Sequence, residues 1–204
     1  MTSWIFLRHG ESIANAEDWL SGHQDCPLTE RGRAQADEAG RALAAWPLAR
    51  AVSSDLQRAR ETAERALRQW SLLRGEPAPP LEILPALRER STGDWTGRDR
   101  GELRAQGLLV RLTGWQDGPP GGESQQALAR RILPAMAALE REAPDGPTLV
   151  VAHGGVMRVL LGLLDGADKD ALGFFGVPNA SPVLRQTSAD AFAGIGRDLE
   201  LQLV

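Results

Sequence analysis

Residues able to do chemistry are few in this chain, and they gather at two similar junctions. Two of its three histidines stand in Arg8-His9-Gly10 and in His153-Gly154-Gly155, each directly after a short apolar run. A neutral imidazole is a nucleophile that also leaves readily, and a guanidinium is a planar fork donor for oxyanions. Glycine beside them lets the backbone take a positive φ and approach a ligand closely. A lone histidine is more often structural, so the short motif around His9 decides little by itself. Arg58, in Ser53-Ser54-Asp55-Leu56-Gln57-Arg58-Ala59, falls in the first turn of a predicted helix. A cation there opposes the helix dipole. Arg58 reads either as a solvated surface arginine or as a fork donor beside free N–H groups, which together make an anion site. Neighbouring Arg60 reads as surface. His23, in a Gly-His-Gln-Asp turn, reads as exposed or at the rim of a pocket.

The elements that must position these groups follow an alternating pattern. Ser3 to Leu7 is a strand feeding Arg8-His9. Thr29 caps a helix whose buried face is Ala36, Ala39, Leu43 and Trp46. Ala49 to Ser53 is a second strand. Ser54 or Asp55 is expected to cap the next helix, with Leu56, Ala59, Ala63, Ala66 and Trp70 facing inward. Leu81 to Leu84 is a short strand. From Arg88 to Gly122 no period holds, and a stretch of that length is more often functional than idle. Glu123 to Arg141 is helical, with Pro134 as an expected kink. Thr148 to Ala152 is a strand, Val156 to Leu164 an apolar helix, and Val183 to Thr187 and Leu199 to Val204 are late strands. Strands alternating with helices predict an α/β fold with a mostly parallel sheet. Ligands then bind beyond the carboxyl ends of the strands, where His9 and His153 fall.

Composition narrows the class. The 204 residues suit one domain spanning 1–204, with an irregular lid or acid segment at about 85–122. A net charge of −4 argues against a general nucleic-acid binder. No apolar run approaches the ~20 residues that cross a bilayer. The Met-Thr-Ser-Trp-Ile-Phe-Leu start has no basic n-region, so neither a signal peptide nor membrane contact is expected. The single cysteine, Cys26, fits a reducing cytoplasm and is read as inert. No metal-ligand cluster stands at convincing spacing, so neither metal nor other cofactor is expected. Trp95 and Trp115, in the irregular segment, are candidates for a pocket wall. An exposed apolar C-terminal strand would permit a homodimer.

Taken in order, several blocks resemble the histidine phosphatase superfamily, also called phosphoglycerate mutase-like. They are Leu7-Arg8-His9-Gly10-Glu11-Ser12 with Asn15, Pro27-Leu28-Thr29-Glu30-Arg31-Gly32, Ser53 to Ala63, Leu87-Arg88-Glu89, Gly93 to Gly97, Gly121 to Ser124, and Val151 to Gly155. The ordered set is far more specific than any one block. The resemblance implies a three-layer α/β/α sandwich. It implies His9 as the nucleophile that becomes phosphohistidine. It implies that Arg8, Arg58 and His153, with Gly154 beside it, hold phosphoryl oxygens, and that Asn15 donates a further hydrogen bond. Glu89 is implied as proton donor to the leaving group, with a pKa raised beside a dianionic phosphate. Asn179 resembles a late family position near the site. Glu11 and Glu123 serve as supporting partners or as caps.

Mutases of that family resemble one another in an Arg-His-Tyr-Gly stretch after the acid glutamate. This chain has Arg90-Ser91-Thr92-Gly93 there and no tyrosine. A phosphatase acting on a small phosphate ester is therefore expected, similar to the small-molecule phosphatases including the α-ribazole-phosphate type. The alternatives are mutase-type transfer and a regulatory phosphate-binding module with little turnover.

Overall fold

The computed structural model describes residues 1–174 and 176–201. Five strands form one sheet: β1 (Thr2–Arg8), β2 (Arg50–Ser53), β3 (Leu81–Ile83), β4 (Thr148–Ala152) and β5 (Val183–Thr187). Their spatial order is β3-β2-β4-β1-β5. The pairings β2–β3, β2–β4 and β1–β4 are parallel, and β5 runs antiparallel to β1 at the edge. The register Arg8↔Ala152 brings the carboxyl ends of β1 and β4 level. His9 and His153 leave the sheet side by side as a result.

Alternation along the strands supplies two buried faces. On one, Ile5, Leu7, Ala51, Leu149 and Val151 pack against α2 (Glu30–Leu43) and α3 (Gln57–Arg74). On the other, Trp4, Phe6, Val150 and Ala152 pack against α5 (Gln125–Arg141), α6 (Gly154–Leu164) and α7 (Ala191–Asp198). This is the three-layer α/β/α sandwich. Burying a large apolar side chain contributes roughly 1.5–3 kcal/mol, so β1 and β4, buried on both faces, fix the sheet centre most firmly. Two short helices complete the set, α1 (Ile13–Ala16) beside the end of β1 and α4 (Arg100–Ala105) within the irregular segment.

Local signals account for most element ends. Thr29 caps α2 by accepting the Gly32 N–H, and Ala36, Ala39 and Leu43 are buried as the spacing requires. The α3 face Leu56, Ala59, Ala63, Ala66 and Trp70 is buried, but its N-cap is Leu56, without a side-chain cap. Ser54 and Asp55 are used elsewhere: Ser54 faces His153, and Asp55 pairs with Arg88. Helix α5 starts from Ser124 and runs through Pro134.

Three expectations are corrected. Leu199 to Leu201 form no strand, and residues 202–204 lie outside those described; the last element is instead α7. Its Phe192 is buried against Trp4, and Phe192 N–H donates to the Glu140 carboxylate. The exposed C-terminal strand that would have permitted a dimer is thus not present in the described chain. Trp95 does not line a pocket but packs with Leu20 and Leu103 in a small separate core, while Trp115 joins the main one. Gly10 has no positive φ; it is required because a Cβ there would meet the Gly32 carbonyl at 2.3 Å. Among the described residues, no helix is long and apolar enough to cross a membrane.

Candidate active site

A cleft of about 490 Å³ opens at the carboxyl edge of the sheet. His9 and Arg8 reach it from the end of β1, Arg58 from the first turn of α3, and Glu89 from the irregular segment. Asn15 and Gly154 also line it. His153 is fully buried behind Gly154, its ring centroid 5.2 Å from that of His9. The structure thus brings Arg8, His9, Asn15, Arg58, Glu89 and Gly154 to one cleft, with His153 buried beside His9 and not itself lining it. Arg60, by contrast, points to solvent and pairs weakly with Glu64.

The backbone fixes the His9 ring. Its Nδ1 lies 2.7 Å from the Gly10 carbonyl oxygen. A carbonyl can only accept, so Nδ1 carries the proton and Nε2 keeps a lone pair. Burial, with the cations of Arg58 and Arg8 nearby, holds the His9 pKa well below its ordinary value. The ring is therefore a neutral, Nε2-basic imidazole at physiological pH. His153 is held neutral in the same way, by burial first and then by Arg58.

The guanidiniums are tied down. Arg58, buried, donates to the carbonyls of Gln24 and Gly22 at 3.0 and 2.8 Å, and its Nη1 rests 3.9 Å from Cys26 Sγ. Cys26 is thus packed against the site rather than without a partner. Arg8 donates to Val177 O at 2.7 Å, while its buried Nε has no hydrogen-bond partner among the described residues. Desolvation lowers the Arg8 pKa, partly countered by Glu89.

Glu89 is expected to have a raised pKa beside a dianionic phosphate, while the protein's own groups act the other way. Burial pushes its carboxyl up, but the Gly155 and Arg90 N–H groups, with Arg58 and Arg90, outweigh that, and the net shift is downward. The two backbone N–H groups contribute most of the lowering and the cations add to it, whereas a neighbouring dianion would act in the opposite direction. Gly155 permits this contact, since a Cβ there would lie 2.3 Å from Glu89 Oε1.

Supporting residues surround this acid. Arg131 of α5 donates to the carbonyls of Ala86, Arg88 and Glu89 and pairs with Glu123 at 2.7 Å. Glu123 also accepts the Ser91 N–H, so its role is to hold the acid segment. His23, at the rim, contacts the Glu89 carbonyl at 2.7 Å. Glu11 accepts from Thr29 and faces Arg31, bracing the start of α2. Asn179 donates to His9 O at 2.7 Å and to Asn15 Oδ1 at 3.3 Å, which puts it at the site.

Sequence reasoning missed Ser54 and Arg90. Ser54 Oγ lies 2.8 Å from His153 Nε2. Arg90, buried, lines the cleft, its Nη1 without a hydrogen-bond partner among the described residues and its pKa pushed down to about 10 chiefly by burial. Its place directly after Glu89 was the available signal. Among the described residues, no group of three or more His, Cys, Asp or Glu is arranged to hold a metal ion.

A mostly parallel sandwich whose strand ends present two histidines, buried arginines and a carboxylate defines a phosphoryl-handling enzyme. The sequence pattern of the histidine phosphatase superfamily (branch 1) matches residues 4–193, and the chain belongs to that superfamily. It is 36% identical over 168 residues to the adenosylcobalamin/alpha-ribazole phosphatase of Salmonella typhimurium, covering 80% of this chain and 79% of that protein. It is 34% identical over 194 residues to a 2,3-bisphosphoglycerate-dependent phosphoglycerate mutase of Methylobacterium radiotolerans, covering 91% and 90%. A mycobacterial glucosyl-3-phosphoglycerate phosphatase solved with VO3 superposes with a TM-score of 0.78 at 31% identity, covering 90% and 92%. The enzyme class is a hydrolase of the histidine-phosphatase type.

Proposed function

We propose that this protein hydrolyses small phosphomonoesters without a metal, through a phosphohistidine on His9. The observation that carries this is the Gly10 carbonyl on His9 Nδ1, which leaves the Nε2 lone pair available in a cleft flanked by Arg8 and Arg58. In the first half-reaction Nε2 attacks phosphorus, the ester P–O bond breaks, and Glu89 gives its proton to the departing oxygen. In the second, water attacks phosphorus, its proton passes to Glu89, and the P–N bond breaks to release phosphate and neutral His9. Arg8, Arg58 and His153 stabilise the equatorial oxygens, which is the main catalytic demand of phosphoryl transfer. The Gly154 N–H adds a backbone donor at the start of α6. Asn15 Oδ1 is taken by the Ser12 N–H and by Asn179, so its amide N–H groups are the end left to donate.

The phosphatase relatives support water as acceptor. The mutase relative favours a second reading, return of the phosphoryl group to a phosphoglycerate. Rapid quenching after mixing with a ³²P-labelled ester tests the covalent step. Wild type should carry acid-labile, base-stable label, and His9→Ala should carry none. Label persisting in that variant would move the nucleophile elsewhere. Repeating the chase with phosphoglycerate separates water from a sugar-acid acceptor. A screen including α-ribazole phosphate and glucosyl-3-phosphoglycerate then identifies the preferred ester.

A further inference from the structure

Ser54 is fully buried at the end of β2, and its backbone is pinned on both sides. Its N–H donates to Val151 O at 3.1 Å, and its carbonyl accepts the Ser53 hydroxyl at 3.0 Å. Its Oγ accepts the Leu56 N–H at 3.3 Å and sits 2.8 Å from His153 Nε2. The other ring nitrogen of His153, Nδ1, is buried with no hydrogen-bond partner among the described residues. A hydroxyl has one hydrogen to give and two lone pairs. One lone pair is used by Leu56. If Nε2 carried the ring proton, it would occupy the second, the serine hydrogen would be stranded, and Nδ1 would be a buried bare lone pair. If Ser54 donates, its hydrogen is satisfied and the ring proton moves to Nδ1. The second arrangement leaves one buried group unpaired, the Nδ1–H, where the first leaves two, and that difference selects it.

We infer that Ser54 is a positioning residue that holds His153 in its Nδ1–H tautomer, so that the unpartnered edge of the ring offers a proton to an oxyanion. This rests on the proposed reading of His153 as a phosphoryl contact. The same two rules act on both histidines. A Gly10 carbonyl makes His9 an Nε2 nucleophile, and a Ser54 hydroxyl makes His153 an Nδ1 donor. The opposite tautomer would turn a lone pair toward a negatively charged oxygen.

The test uses the whole enzyme labelled with ¹⁵N-histidine. Three histidines give a sparse spectrum, and the His23→Gln and His153→Ala variants assign it. Long-range proton–nitrogen correlations at neutral pH should show His153 protonated on Nδ1 and bare on Nε2. A wild-type spectrum with the proton on Nε2 overturns the inference, and that reading needs no variant to fold. In Ser54→Ala the tautomer should become mixed, and orthovanadate should bind on the order of tenfold more weakly. Outright loss of one oxyanion donor costs on the order of 10²–10³-fold in turnover, so a disordered donor should cost less. Ser54→Thr, which keeps the hydroxyl, should restore the tautomer. An Nδ1–H tautomer and full vanadate affinity retained in Ser54→Ala would sink the assignment. If His153→Ala binds vanadate and turns over like wild type, the phosphoryl-contact reading fails, while the wild-type tautomer still reports on Ser54.

Discussion

Both carboxylate oxygens of Glu89 receive the Gly155 N–H at 3.1 Å, two residues beyond His153 in the chain. The helix that follows His153 therefore also orients this carboxylate and favours its ionised form. This coupling sets the pH behaviour.

The value of kcat/KM should peak on the acid side of neutrality. His9 stays neutral well below pH 6.5, so the rate falls only when pH drops through that depressed value. Glu89 is ionised in the free enzyme, so the proton it donates must come in with the monoanionic ester. Raising pH through the second phosphate ionisation, at about 6, removes that proton and lowers kcat/KM. A pH–rate profile on an alkyl phosphate checks this, and an optimum above about 7.5 would contradict it.

Glu89→Gln keeps the shape of the side chain but gives up no proton. Nitrophenolate leaves unaided and an alkoxide does not, so phosphohistidine should form quickly from nitrophenyl phosphate and slowly from an alkyl ester. The gap should be on the order of 10²–10⁴-fold. If the same carboxylate activates water, nitrophenyl phosphate should also give a burst followed by a slow steady rate. Stopped-flow traces on both substrates decide; equal losses with no burst would assign Glu89 a positioning role.

Arg131→Ala should lower kcat more than it raises KM. The guanidinium holds three carbonyls of the segment carrying Glu89 and does not itself line the cleft. Its loss loosens the acid rather than the phosphate site, and a misplaced catalytic group costs up to about 10²-fold. Arg131→Lys, without the fork, should rescue little. Steady-state constants for both variants check this, and an effect confined to KM would refute it.

Turnover should survive exhaustive EDTA treatment unchanged. Arg8, Arg58 and the two histidines supply the positive and donor groups that a metal would otherwise provide. A loss that magnesium or zinc restores would end the proposed mechanism.

The sheet and its chemical edge were legible because they depend on local signals. Apolar runs ending at Arg8-His9 and at His153 mark the two strands, and Thr29 marks a helix start. Contacts between distant segments were not legible. Ser54 looked like a cap because Ser before a helix usually is one; its partner lies 99 residues away. The α7 region, with glycines at 194 and 196, has weak helix propensity and is stabilised by packing of Phe192 and by Glu140 from another helix. Trp95 was misplaced because an aromatic in an irregular stretch looks like a wall until Leu20 and Leu103 are seen to cover it.

The first strand, which carries His9, sits in the interior of the sheet and pairs only with β4 and β5. Its nearest pairing partner in the chain begins at Thr148, so during synthesis β1 is made long before any strand it pairs with. A nascent chain that ends before Thr148 leaves Trp4, Ile5, Phe6 and Leu7 without the strands that flank them in the sheet. Asn179, which grips the His9 carbonyl, emerges later still. Such non-local pairing folds slowly and exposes apolar surface meanwhile. Under the proposed mechanism, the placement of His9 therefore waits on strands and an asparagine that lie far along the chain from it.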